Sequence, residues 1–232
     1  MALNVKQFWQ RVVDVRYSTK LNLEEFCRRY NENIEACDWE PHPLYSVFTQ
    51  YDQECYLREK EAFLHKYKCF FAVSKTISPR RIIELGTCAG SSADAYLSAA
   101  PNINYIGLDE FGVNTRHDDH SPWDPYEVAV KLLKARGFKN YDLIRVDLRT
   151  LDKLPCKSDF VVVDAAHNFE NQYADLKLAL TAEPTFIFVD DADDENEVKP
   201  AINKFLKEDV KDKLDYTTKI AYRGGGLIIK LH

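Results

Sequence analysis

From residue 81 onward the chain alternates short unbroken apolar runs with longer stretches in which apolar residues recur every three or four positions. The runs are Arg81-Ile-Ile-Glu-Leu, Asn104-Tyr-Ile-Gly-Leu, Tyr141-Asp-Leu-Ile-Arg-Val, Phe160-Val-Val-Val and Thr185-Phe-Ile-Phe-Val. They lack the in-out alternation of a half-exposed strand, which predicts strands covered on both faces, as in a parallel sheet. Segments 91–99, 126–135, 169–181 and 198–207 carry the helical period. Strand and helix in succession predict an α/β fold with a doubly wound, mostly parallel sheet, whose ligands bind beyond the carboxyl ends of the strands. Segments 216–222 and 227–231 flank Arg223-Gly-Gly-Gly226, with no room for a crossover helix. The sheet is therefore expected to finish with an antiparallel hairpin, for seven strands in all.

The first third reads differently. It is aromatic, charged and poor in glycine, with Phe8, Trp9, Val12 and Val13, then Tyr51, Cys55, Leu57, Phe63, Leu64, Tyr67, Phe70 and Phe71, at helical spacing. Pro41 and Pro43 are expected to break the two parts. Residues 1–75 are accordingly read as an N-terminal helical cap and 76–232 as the α/β domain.

Composition narrows the partners. A chain of 232 residues with 45% hydrophobic and 29% charged residues is long enough for a real core. Its net charge of −6 argues against a protein that grips nucleic acid through phosphate neutralisation and favours a small-molecule partner. No stretch is apolar enough to span a bilayer, and residues 1–11 lack the apolar run of a secretory signal, so a cytoplasmic location is expected. The six cysteines form no CxxC pair and are read as reduced thiols. Self-association is left open.

Chemistry should gather at the strand ends. The first strand runs into Glu84-Leu-Gly86-Thr87-Cys-Ala-Gly90-Ser91-Ser92. Glycines there let the backbone approach a ligand, and the following helix offers free amides to a carboxylate or phosphate; an ordinary tight turn explains the same glycines. GxGxxG and the Walker spacing are both absent, which weighs against a dinucleotide or a triphosphate. Glu84 would repel phosphate but accept hydrogen bonds from an ammonium group or a water. The second strand ends in Asp109-Glu110, suited to ribose hydroxyls, and the third in Asp147, which serves a ligand or a helix N-cap equally well. Together these positions describe a site for a nucleoside with a cationic amino-acid tail, such as S-adenosylmethionine.

Those residues, with Asp164-Ala-Ala-His167-Asn-Phe-Glu170 and Val189-Asp190-Asp191, resemble the class I (Rossmann-like) S-adenosylmethionine-dependent methyltransferases. Within them the chain is most similar to the catechol, caffeoyl-CoA and macrocin O-methyltransferase branch. The resemblance covers about residues 81–232. It departs from the branch where Thr181-Ala-Glu-Pro184 replaces a usual Gly-Gly and Asp164-Ala165 an Asp-Gly. It implies that Glu84, Gly86, Thr87, Gly90 and Ser92 hold the methionine end of the donor, Asp109 the ribose and Asp147 the adenine.

Asp164, Asp190 and Asp191 should be neighbours at the fourth and fifth strand ends. Three carboxylates repel one another unless a cation intervenes, and hard oxygen ligands suit Mg²⁺ or a similar divalent ion; the resemblance implies the same assignment. Asp193, Asp194 and Glu195 are better read as acids at a helix N-terminus. His167 is the candidate general base, since a free imidazole titrates at about 6.5, and Asp164 a candidate to share that task. His117-Asp-Asp-His120 with Trp123 reads as substrate lid ahead of a zinc site. Tyr45, Phe48, Tyr51 and Tyr56 fit an acceptor pocket, core packing or a dimer contact equally. The expected activity is O-methylation of a small hydroxylated acceptor, assisted by the cation. The alternatives are a metal-independent methyltransferase with the same donor site and a non-catalytic nucleoside-binding module.

Overall fold

A computed structural model describes residues 21–44, 53–112 and 124–232, with backbone alone for 53–59. Phe8, Trp9, Val12, Val13, Tyr45, Phe48, Tyr51, the side chain of Tyr56, and His117 to His120 with Trp123 lie outside the described residues. In chain order the elements are α1 (Leu23–Glu35), α2 (Gln53–Ile77), β1 (Arg81–Leu85), α3 (Ser91–Ala99), β2 (Asn104–Asp109), α4 (Pro125–Ala135) and β3 (Tyr141–Arg145). They continue with β4 (Phe160–Val163), α5 (Phe169–Leu180), β5 (Phe186–Val189), α6 (Val198–Glu208), β6 (Leu214–Ile220) and β7 (Gly226–Leu231). No helix among the described residues is long and apolar enough to cross a membrane.

Polar side chains set the helix starts. Asn22 accepts from the Glu25 amide, Asp124 from Tyr126 ahead of Pro125, and Asn168 from Asn171, so each satisfies an amide that its helix leaves open. The strands form one sheet of order β3-β2-β1-β4-β5-β7-β6, in which β7 runs antiparallel to both neighbours and the other pairings are parallel. The order reverses between β1 and β4, which opens a crevice at their carboxyl ends.

The central strands are buried on both faces while β3 and β6 at the edges are half-buried, which is why the central strands read as largely apolar runs. Ile82, Tyr105, Phe160, Val162, Phe186, Phe188 and Ile228 point to one side, against Phe26 of α1, Cys69, Phe70, Phe71 and Val73 of α2, and Tyr96 of α3. Ile83, Leu108, Val161, Val163, Ile187 and Val189 point to the other, against Leu176 of α5 and Phe205 of α6. The end of the N-terminal helical region thus belongs to the same core as the sheet. Phe70 stacks on Tyr96 at 5.4 Å and meets Phe188 edge-on at 5.2 Å, which seats α2 across the strand ends.

Candidate active site

Strand parity brings three carboxylates together. Glu84 follows Ile82 on the face covered by α2 and α3, Asp164 follows Val162 on that face, and Asp190 follows Phe188. Because β1, β4 and β5 are adjacent and in register, these groups form a row along the carboxyl edge. Lys66 reaches the row from α2. Its ammonium binds Asp190 Oδ2, while the Tyr222 hydroxyl donates to Asp190 Oδ1. Burial works against the Lys66 charge, but Asp164 and Asp190 more than offset it and hold the ammonium protonated well above the range of a free lysine. Burial and the neighbouring Asp190 push Asp164 far above the usual carboxylate range, and the same two causes raise Asp191.

Glu84 lies under the Gly86–Ser92 loop rather than on its surface. It is fully buried, takes a hydrogen bond from the Tyr105 hydroxyl, and leaves Oε1 without a partner among the described residues. Burial pushes its carboxyl up to about 7 in spite of the Tyr105 bond. The folded state therefore binds a proton between roughly pH 4.5 and 7 that the unfolded chain releases. This contribution is full below pH 4.5 and is lost as pH rises through 7. A shift of that size is worth roughly 3 kcal/mol. Glu84→Gln is expected to gain about that much stability relative to the parent between pH 4.5 and 8, which urea unfolding at the two pH values measures.

The loop above it is shaped by close backbone approach. At Gly86 φ is +94°, and a Cβ would lie 2.2 Å from the Asp164 carbonyl oxygen, so only glycine lets β1 turn here against the end of β4. Thr87 is buried in the notch left by Gly107, with Oγ1 3.3 Å from the Tyr105 hydroxyl. Gly90 is the N-cap of α3 and supplies no side-chain cap to a first turn that holds Ser91 and Ser92, a helix start whose dipole suits an anionic group. Asp109 braces the loop from β2: Oδ2 accepts from the Cys88 amide at 2.8 Å and Oδ1 from the Phe111 amide at 2.6 Å. Asp147 caps a short turn by accepting from the Arg149 amide at 2.8 Å, which is the helix-cap role. Asp194 likewise accepts from the Asn196 amide ahead of α6, and Asp193 pairs with Lys219.

The structure brings Asp164, His167 and Asp191 together, with one ligand atom from each within 4.8 Å of the others. His167 Nδ1 is 3.3 Å from Asp191 Oδ2. Asp191 adopts φ +49°, a region that aspartate tolerates better than most residues, and the β6–β7 turn holds it there. The Ala192 amide donates to the Gly225 carbonyl and the Asp193 amide to the Gly224 carbonyl. A Cβ at Gly224 would lie 2.2 Å from Asp191 Oδ1, so the glycine run of the hairpin backs the carboxylate. His167, Asp191, Asp193, Asp194 and Gly224 line an open cleft of about 630 Å³, a volume typical of small-molecule sites.

Asp190 stands apart from that trio in its bonding. Both of its oxygens are engaged by Lys66 and Tyr222, and its side chain is 1% exposed. Of the three expected ligands Asp164, Asp190 and Asp191, Asp190 thus already accepts from two protein groups. Lys66, Tyr222, Tyr105 and Gly224 were not singled out by sequence patterning. Lys66 falls on the amphipathic period of a helix, where a lysine is the default solvated residue, and no local signal marks its partner 124 positions away.

No model of a known protein family matches the sequence, and no curated protein matches it. Solved structures do. A methyltransferase of Podospora anserina bound to S-adenosylhomocysteine is 16% identical, with 95% of this chain and 100% of that one aligned at a TM-score of 0.58. The O-methyltransferase TomG of Streptomyces achromogenes, involved in tomaymycin synthesis and solved with S-adenosylmethionine, is 18% identical over 89% and 98% of the two chains at 0.57. An O-methyltransferase of Bacillus cereus with S-adenosylhomocysteine is 16% identical over 98% and 97% at 0.52. With its seven strands in the order 3-2-1-4-5-7-6 and an antiparallel last pair, this chain has the Rossmann-like fold of the class I methyltransferases.

Proposed function

We propose that the protein transfers a methyl group from S-adenosylmethionine to a hydroxyl of a small molecule. The observation that carries this reading is the row of carboxyl groups at the carboxyl edge of the sheet. Glu84, Asp164 and Asp190 line up on one face beside Lys66, and a cationic ligand would offset the burial and mutual repulsion that raise the Glu84 and Asp164 carboxyls. A donor with an ammonium and a sulfonium meets that demand, while its carboxylate suits the N-terminus of α3 and its ribose the braced Asp109. When bound, it supplies an electrophilic methyl group.

The remaining chemistry belongs to the chain. His167 stands on the wall of the cleft with Nδ1 3.3 Å from Asp191 Oδ2. It takes the proton of the acceptor hydroxyl as the oxygen is held in line with the methyl group. Asp193 and Asp194 make the rim acidic, so neutral or cationic acceptors such as catechols, sugars or polyketide hydroxyls are favoured over phosphorylated ones.

The cation expected from the sequence divides the reading. The close approach of Asp164, His167 and Asp191 supports a divalent ion; the engagement of Asp190 by Lys66 and Tyr222 favours transfer without one, and we adopt the latter. Calorimetric titration with S-adenosylhomocysteine is expected to give saturable heat that Asp109→Ala weakens at least about tenfold. Absence of heat with the parent protein would remove the enzymatic reading. Turnover is expected to persist in excess EDTA; its loss, restored by Mg²⁺, would return the divalent ion to the site.

A further inference from the structure

We infer that Lys66 is the built-in cation of this site, a helix-borne ammonium holding the strand-end carboxylate that the sequence reading assigns to a divalent ion. The inference rests on the methyltransferase reading for its meaning but on the ion pair for its substance. Four observations support it. The Lys66 ammonium lies over the Phe70 and Tyr222 rings, with Nζ 5.4 and 6.0 Å from their centroids, so the head group is held beside the row. Its side chain is 22% exposed, while that of Asp190 is 1% exposed. Tyr222 takes the other Asp190 oxygen, so each oxygen of that carboxylate already accepts from a protein group. Finally, α2 is anchored by Phe70 between Tyr96 and Phe188, four residues along the same helix, so Lys66 is tied to the core.

A divalent ion on Asp190 would have to expel this ammonium into an aromatic setting without its partner, and would then face it as a like charge. Lys66 is accordingly a positioning residue. It binds one Asp190 oxygen while Tyr222 binds the other, and so fixes the edge of the sheet from the helix outside it. Removing the ammonium while keeping its apolar stem should leave Asp164, Asp190 and Asp191 short of positive charge and convert the site into a metal binder.

The test uses the full-length protein and Mn²⁺, followed by electron paramagnetic resonance. Wild type is expected to show no saturable binding below millimolar Mn²⁺. Lys66→Met is expected to bind at least about tenfold more tightly, Lys66→Arg to show no such gain, and Lys66→Met/Asp164→Asn to lose it. Micromolar Mn²⁺ binding by wild type, or no gain in Lys66→Met, overturns the inference. Thermal unfolding provides an arm that survives if Lys66→Met folds poorly. Asp190→Asn strands the ammonium and is expected to lower Tm by about 5 °C or more, and Lys66→Met/Asp190→Asn to recover at least half of that loss. A double variant no more stable than Asp190→Asn also overturns it. Titration with S-adenosylhomocysteine separates the two readings. If wild type gives no heat while the Mn²⁺ and Tm results hold, the donor assignment fails and the built-in cation stands.

Discussion

His167→Ala is expected to lower kcat by about 10²- to 10⁴-fold while leaving S-adenosylhomocysteine affinity within about twofold of wild type. The asymmetry follows from position. His167 lines the cleft with Asp191, Asp193, Asp194 and Gly224, whereas the donor loop spans Gly86 to Ser92 on the neighbouring strand and helix. Its Nδ1 lies 3.3 Å from Asp191 Oδ2, beside the acceptor cleft and away from the glycine loop, so the loss should fall on the chemical step. Asp191→Asn should reduce kcat less than His167→Ala, because the base survives but its orientation loosens. Single-turnover kinetics, beside calorimetry with the product nucleoside, read the two quantities separately. An unchanged kcat in His167→Ala would pass the proton to Asp164, one of the two carboxyl groups of the trio.

Gly86→Val is expected to be the most damaging single change to the fold and to donor binding together. Two independent effects combine there. The backbone at φ +94° excludes a β-branched residue, and the first carbon of any side chain would stand 2.2 Å from the Asp164 carbonyl oxygen and 2.6 Å from Ala165 Cα. Both neighbours are backbone at the end of a central strand, so neither can rotate away. Relief requires β1 and β4 to part at the crevice, at about 3 kcal/mol or more, or a fall in Tm of roughly 6–12 °C. Gly86→Ala meets the same contact without the branch and should be milder than valine though still destabilising. Urea unfolding measures the stability, and titration with S-adenosylhomocysteine the binding, which is expected to vanish in the valine variant. A Gly86→Val protein of normal stability and affinity would show that the approach of β1 to β4 is looser than the structure has it.

Much of the architecture is legible in the order of residues because buried parallel strands leave a local trace. Phe160-Val-Val-Val and Phe186-Ile-Phe-Val are apolar at every position, as they must be with core on both sides. Gly224-Gly-Gly226 marks the hairpin because no crossover fits between two strands that close together. Caps at Asp124 and Asn168 mark helix starts for an equally local reason. The candidate site was legible only in part. Parity and strand order place Glu84, Asp164 and Asp190 at one edge, but they do not say what each carboxylate touches. Asp147 and Asp194 turn out to cap turns, a use that a single acidic residue in a sequence shares with ligand binding.

What the residue order determined by itself was the succession of strands and helices, the glycine-bearing loop after the first strand and the acidic strand ends. All of these depend on neighbours within a few positions. Tertiary structure alone decided the partners. Asp190 meets Lys66 across 124 residues and Tyr222 across 32, and Glu84 meets Tyr105 across the β1–β2 pair. Whether a row of carboxylates is balanced by a metal, a ligand or a lysine depends on which element packs over it, and that follows from the seating of α2 on Phe70 against Tyr96 and Phe188, a long-range packing outcome with no signature in local sequence.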